Sequence, residues 1–529
     1  MILVWIYLNR DSVMLGKIID VNKKRFEDVA FYSLGYSDYK YGMNKDEGLY
    51  FVREDWNDYG FKTLYNVYAV FDGAEYDLGY FNATFYPYDE ECNFIDFRNL
   101  KAGLIQRRIY SLGGKSYYEF FNKLFSQEDR VKYFNLMGDL AYDTETLERI
   151  YNKPEKLHKK YGPTKSEGGD VIKHSFFRTR TYFEVLTQYS RIAKGGGTYQ
   201  EPYNVIINES NGDEIISLDV NLSSLKPTSL YAIIGNNGAG KTKLLTKIVN
   251  SLLFQKTNDD NYIDETDYII GTGLNEFNSL VLISYSPFDN NFPKVNEKNK
   301  EFYSFVTINF KERDYLSNEI SSNIKDMFEG VSKLHKDKFK QIIQKLRFDP
   351  WFNMLEERIE DMKLDLEDIN KFSSGQKIIL LNLLNLMLKV SERTLVIIDE
   401  PELFLHPPLL KGYILAIEEI IREGNGVCLF ATHSSIVLQE IPHTNVKEIK
   451  YDFDRKRSVF LPVKIKTFGE SVSYINDAIF GTHLRNTGFY TFVENSTETS
   501  LDDLKYFLGS EALLLKRIRE SENVSDYPS

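Results

Sequence analysis

Gly235-Asn-Asn-Gly-Ala-Gly-Lys-Thr242 fits the phosphate-loop pattern G-x-x-x-x-G-K-[ST] at every fixed position. Its flanks fit as well. Tyr231-Ala-Ile-Ile234 reads as a short buried strand, and Leu244 to Val249 as the start of a helix. In that context the glycines let the backbone wrap until its N–H groups face an anion. The helix N-terminus adds partial positive charge at the same point. Gly235, Asn236, Asn237, Gly238, Ala239 and Gly240 would therefore line the phosphates. Lys241 would reach the β- and γ-phosphates of ATP, and the Thr242 hydroxyl would ligate Mg²⁺.

Downstream, Thr394-Leu-Val-Ile-Ile-Asp-Glu-Pro401 is an apolar strand that ends in two carboxylates. Adjacent acids at the end of a buried strand are costly without a cation. Asp399 is placed to hold Mg²⁺, and Glu400 to orient and polarise an attacking water. Gly426 to Ala431 is the next apolar strand, and His433 follows it. Between these features lies Phe372-Ser-Ser-Gly-Gln-Lys377, just before an apolar helix from Ile378 to Val390. Ser373, Ser374, Gly375 and Gln376 can form an anion-binding helix N-terminus.

The order is phosphate loop, strand Ser279 to Ser284, serine-rich helix start, Asp-Glu pair, histidine. It resembles the ABC-type ATPases, whose signature loop reads L-S-G-G-Q. Here Phe372 replaces the Leu and Ser374 the first Gly. The resemblance implies an α/β nucleotide-binding domain with a parallel core sheet, an antiparallel β lobe and a helical lobe. It implies ATP hydrolysis with Mg²⁺, and a γ-phosphate contact for His433. It also implies that Ser373 and Gly375 complete the site of a second copy, giving at least a head-to-tail dimer. Two departures stand out. Tyr285-Ser-Pro-Phe-Asp289 lacks the family's Mg²⁺-sensing glutamine, and only Tyr203 offers itself for stacking on adenine.

After the Asp-Glu pair, Pro401-Glu-Leu-Phe-Leu-His-Pro407 resembles the chromosome-maintenance, RecF-like and phage-defence branch rather than membrane transporters. The interval from Thr242 to Ser373 has room for a helical lobe but not for a long coiled-coil arm. Thr467 to Ser473, Gly488-Phe-Tyr490 and Leu508 to Ala512 resemble the tail of the PtuA-type ATPases of Septu and retron anti-phage systems. Ser175 to Arg180, Ile192 to Gly195 and Ser284 to Asp289 are similar too. That resemblance implies a separately encoded HNH-type nuclease (PtuB-like) under the ATPase's control. In retrons it adds a reverse transcriptase with its RNA–DNA product. The chain's own seven histidines are scattered and suggest no nuclease centre. The rival reading is a RecF-like maintenance ATPase that binds DNA itself.

Composition bounds these readings. The 529 residues suggest two or three domains. A content of 42% hydrophobic and 27% charged residues is that of a soluble globular chain. The net charge of −12 excludes a general basic coat for nucleic acid. Cys92 and Cys428 are far apart and form no metal spacing, as expected of reduced thiols in the cytoplasm. No stretch reaches the apolar length of a membrane span, and Met1 to Leu8 reads as a strand rather than a signal core. Residues 1–200 hold more than half of the Phe, Tyr and Trp residues. They are read as core rather than as base-stacking surface. The glycine-rich joint Lys194 to Thr198 marks a boundary. The expected division is therefore an aromatic-rich α+β N-terminal region (1–197), an ATPase domain (198–465, helical lobe about 300–375) and a helical extension (466–529). Basic clusters at Lys156, Lys159 and Lys160, at Lys336, Lys340 and Arg347, and at Arg455 to Arg457 are candidate nucleic-acid contacts, with solvated surface as the default.

Overall fold

The computed structural model describes residues 23–525, except 36–38, 40–45, 55–60, 88–94, 153–170, 178–179, 181, 198–200, 211, 223, 225–226, 237, 258, 263–267, 286–291, 297, 301, 308–312, 348, 453–456, 481–487, 497–500 and 507. The strand expected at Met1 to Leu8, the lysines of Lys153 to Lys165, Asn237, Ser286 to Asp289 and the Arg455-Lys456 pair lie outside the described residues.

The N-terminal sheet runs in sequence order: β1 (Phe31–Gly35), β2 (Gly48–Arg53), β3 (Leu64–Phe71), β4 (Ala74–Tyr86) and β5 (Arg108–Leu112). The β3–β4 hairpin turns at Asp72-Gly73, both with positive φ. Helices Lys115–Leu124 and Gln127–Met137 supply a core of rings. Phe51 stacks on Phe97 at 4.0 Å, and Phe121 on Tyr133 at 4.2 Å. Burying such rings is worth a few kcal/mol each, so the aromatic excess is accounted for by the core.

The run Asp139 to Tyr151 has a helical pattern in the sequence, but the helix begins later, at Thr144–Asn152. Asp139 explains the shift. Its backbone is held beside β5, with Ser111 N–H donating to Gly138 O at 3.1 Å and Leu140 N–H donating to Ser111 O at 2.9 Å. Its carboxylate, 1% exposed, accepts from the Tyr118 hydroxyl at 2.9 Å and from the Ala141 and Tyr142 amides, each at 3.0 Å. Asp143 then caps the helix through the Thr146 amide at 3.0 Å. Burial pushes the Asp139 pKa up to about 7 against those donors. The unfolded chain releases this proton near 4, so stability falls as pH rises between about 4 and 7. Asp139→Asn has no proton to lose. Thermal unfolding at pH 5 and at pH 8 should show a smaller loss for the variant than for the wild type. Equal losses would remove Asp139 as the cause.

The second sheet forms the centre of the region that carries the phosphate-loop pattern. β8 (Leu230–Ile234), β10 (Ser279–Ser284), β11 (Tyr303–Val306), β12 (Thr394–Asp399), β13 (Val427–Thr432), β14 (Val446–Asp452) and β15 (Arg457–Pro462) lie in the order β11-β10-β12-β13-β8-β14-β15. All neighbours are parallel except β15, which pairs antiparallel with β14. The central strands are buried on both faces, with a period of two. Leu395, Ile397, Leu429, Tyr231 and Ile233 enter one core, with the helix Lys241–Thr257. Val396, Ile398, Phe430, Ala232 and Ile234 enter the other, with the helices Ser374–Lys389 and Pro407–Glu423. A three-stranded antiparallel sheet, β7 (Glu214–Val220), β6 (Tyr203–Glu209) and β9 (Ile269–Thr272), covers the first core. Helices between Arg313 and Lys371 make the helical lobe. The fold is thus mixed α/β, with a parallel-sheet core, an antiparallel lobe and helices, as expected.

Within the apolar helix Ser374–Lys389, Asn382 is 1% exposed. The Tyr285 hydroxyl donates to its Oδ1, and its Nδ2 donates to the Tyr413 hydroxyl at 2.8 Å. The polar interruption is therefore satisfied inside the core. Arg191, from the N-terminal region, donates to Glu392 at 2.6 Å, just before β12. The C-terminal helices are Val472–Phe480, Gly488–Asn495, Leu501–Leu504 and Ser510–Ser525. Among the described residues no helix is long and apolar enough to cross a membrane.

Candidate functional site

β8 delivers the chain to Gly235 at the end of the parallel sheet. A Cβ at Gly235 would meet Ile449 O at 2.5 Å, so only glycine lets the loop leave beside β14. Gly238 (φ +78°) and Gly240 (φ +97°) adopt left-handed conformations that curl the loop before the helix begins at Lys241. Lys241 is 6% exposed. Its ammonium donates to Gly235 O at 3.1 Å and meets His433 Nε2. Burial pulls its pKa down, while Glu400, Asp399 and Glu402 pull it up. A buried ammonium aimed into a loop of backbone amides suits a phosphate.

The Thr242 hydroxyl donates to Asp399 Oδ2 at 2.9 Å. β12 places Asp399 level with Ser284 on one side and Ala431 on the other. These two hard oxygen donors sit together beside the phosphate loop, the donor set that suits Mg²⁺. Glu400 follows with φ +51°, and its amide donates to Ala431 O at 2.8 Å. A left-handed non-glycine residue costs of order 1–3 kcal/mol and is a mark of functional sites. The strain turns the chain immediately after the strand, separating Glu400 from Asp399.

β13 ends at Thr432, and His433 comes next, against Lys241. Burial and the Lys241 ammonium both lower the His433 pKa, favouring the neutral imidazole. Glu402 joins these elements: its Oε1 accepts the His433 amide at 2.7 Å and its Oε2 the Thr432 hydroxyl at 2.8 Å. Sequence reading assigned Glu402 no role. Its signals were its place in the string Pro401 to Pro407 and a third carboxylate in Asp399-Glu400-Pro401-Glu402.

The structure brings Lys241, Thr242, Asp399, Glu400 and His433 to one end of the sheet. It does not bring Ser373 to Gln376 there. Ser373 caps its helix through a reciprocal capping box, with the Gln376 amide donating to its hydroxyl at 3.3 Å and its own amide donating to Gln376 Oε1 at 2.9 Å. Gln376 Nε2 also reaches Asp349 at 3.4 Å. A Cβ at Gly375 would meet Phe404 O at 2.8 Å. Ser373 and Ser374 are exposed. Among the described residues no hydrogen bond joins this segment to the phosphate loop.

One expectation changes. Tyr203 is no adenine platform: it is 7% exposed, its hydroxyl donates to Asn425 O at 2.8 Å, and its ring lies under Arg393 and against Phe277. Strand β6 turns it into the core. Lys336 and Lys340 share Glu360 as an ion-pair partner, in keeping with the solvated surface taken as the default there.

Residues 273–439 match the family model described as "AAA domain, putative AbiEii toxin, Type IV TA system". That segment includes β10, the signature-like turn, Asp399, Glu400 and His433. Protein ea59 of Escherichia phage lambda is 26% identical over 494 residues, which cover 85% of this chain and 90% of that protein. Among solved structures, the SMC head domain from Thermotoga maritima is 12% identical and covers 50% of this chain and 100% of its own, with a TM-score of 0.28. The cbiO1 protein from Clostridium perfringens, part of the ABC transporter complex cbiONQ, is 18% identical and covers 56% and 100%, also with a TM-score of 0.28.

Proposed function

We propose that this chain binds and hydrolyses ATP at composite sites between two or more copies, and that it controls a partner nuclease in anti-phage defence. The observation that carries the ATPase reading is the joint placement of Lys241, the Thr242–Asp399 pair, Glu400 and His433 at the C-terminal edge of one parallel sheet. Ligands of open α/β sheets bind at that edge.

In this reading Gly235 to Gly240 and Lys241 hold the phosphates. Thr242 and Asp399 would hold Mg²⁺, which when bound neutralises charge on the β- and γ-phosphate oxygens. Glu400 accepts a proton from the attacking water, and His433 donates a hydrogen bond toward the γ-phosphate. Ser373 and Ser374 are exposed at the start of the helix Ser374–Lys389, with no hydrogen bond to the phosphate loop among the described residues, and are open to a second copy. That separation supports a head-to-tail dimer. A mixture of Lys241→Ala and Ser373→Arg chains should recover ATPase activity that neither shows alone, since one of its two sites is then intact. No recovery in a steady-state assay of the mixture would overturn the shared site.

The defence reading rests on the PtuA-like segments. It places the chain in the cytoplasm as a Septu or retron ATPase with an HNH-type nuclease partner. In a retron a reverse transcriptase and its RNA–DNA would join the complex. Purification from the native operon tests the assignment: a co-purifying HNH protein at fixed stoichiometry is expected, and a lone ATPase retaining duplex DNA would reverse it.

A further inference from the structure

We propose that Glu402 is a positioning residue for hydrolysis, acting on the reaction through the backbone of His433. The proposal rests on the ATPase reading above.

The carboxylate spans the turn after β13 with both oxygens. One accepts the His433 amide at 2.7 Å, the other the Thr432 hydroxyl at 2.8 Å. Thr432 Oγ1 in turn accepts the Ser434 amide at 2.9 Å. Three consecutive residues around the imidazole are thus fixed, directly or through one hydroxyl, by a single side chain. Glu402 belongs to the same short segment as Asp399 and Glu400. That segment is folded on itself, with Leu403 N–H donating to Glu400 O at 3.1 Å and Leu405 N–H donating to Glu402 O at 3.2 Å. The Glu400 amide already grips Ala431 O at 2.8 Å. Glu402 adds a second clamp two residues further along each strand end. The two clamps set the spacing between the carboxylate that accepts the water's proton and the imidazole that faces the γ-phosphate.

Charge-assisted bonds of this kind are the stronger class. Burial raises the Glu402 pKa, while the His433 amide and the Thr432 hydroxyl hold it down. Those donors occupy its oxygens, so Glu402 is poorly placed to act as the base in place of Glu400. Displacement of a reacting group by an ångström costs about 100-fold in rate, which sets the size of effect to look for.

The test is a kinetic cycle. Glu402→Ala should lower kcat by about 10- to 100-fold while affinity for a non-hydrolysable ATP analogue stays within about threefold. Glu402→Gln keeps an oxygen for the His433 amide, and its NH₂ can donate to Thr432 Oγ1. It should recover most of the lost rate. In a His433→Ala background, Glu402→Ala should cost less than about twofold more, because the two residues act as one unit. Additive losses, or a loss of nucleotide affinity with kcat unchanged, would overturn the proposal. Thr432→Val removes one of the two bonds and carries the same cycle if Glu402→Ala fails to fold. If the wild type turns over no ATP, the ATPase reading fails instead. Hydrogen exchange at the His433 amide of the nucleotide-free protein still decides the clamp: faster exchange in Glu402→Ala supports it, and unchanged exchange refutes it.

Discussion

Glu400→Gln should lower ATP turnover by about 100- to 10,000-fold, the range for loss of a positioned general base, while leaving ATP bound. Glutamine keeps the size of the side chain but cannot take a proton. The left-handed turn at Glu400 and its amide bond to Ala431 are backbone features, so the substitution leaves the site's architecture in place. Binding and catalysis should then separate: nucleotide affinity stays near the wild-type value, and the ATP-bound dimer accumulates. Single-turnover hydrolysis and light scattering with ATP check the two halves. Hydrolysis at the wild-type rate would remove Glu400 from the mechanism.

Lys241→Ala should act a step earlier and weaken nucleotide binding by about 100-fold. A hydrogen bond to a charged group contributes about 1.5–3 kcal/mol, and this ammonium is 6% exposed, with Gly235 O and His433 as its partners among the described residues. Alanine also frees His433 from its neighbour, so the imidazole pKa should rise toward its ordinary value as the repulsion of the Lys241 charge is lost. Titration calorimetry with ATP measures the first effect, and the His433 ring resonance against pH measures the second. Affinity within threefold of wild type would refute the phosphate-contact role.

What could be read from the sequence was local. The phosphate loop, the carboxylates at the end of β12 and the histidine after β13 each sit at the end of a continuous apolar run, and such runs declare buried parallel strands by themselves. The helix start at Ser373 was legible for a similar reason, while its reciprocal capping box emerged from the structure. Features set by distant residues were not. Whether Tyr203 faces core or solvent depends on Asn425 and Arg393, which lie on the far side of the chain's length. The delayed start of the helix at Thr144 depends on Ser111, which claims the backbone of Gly138 and Leu140. The clamp by Glu402 depends on a turn thirty residues away, and no short-range pattern distinguishes that carboxylate from a solvated one.

The strand order also bears on how the chain is made. The five strands of the N-terminal sheet pair with their neighbours in sequence and can close as they leave the ribosome. β8, which carries the phosphate loop, has β13 and β14 as its neighbours, and both emerge only after residue 426. At about 5–20 residues per second, β8 waits roughly 10–40 s for either edge to be covered. Throughout that interval Leu230 to Ile234 is an apolar strand with two open edges, the kind of segment that pairs with other chains. The candidate site is therefore among the last parts of the protein to exist, and a chain truncated before β13 would keep its aromatic sheet while exposing a sticky β8.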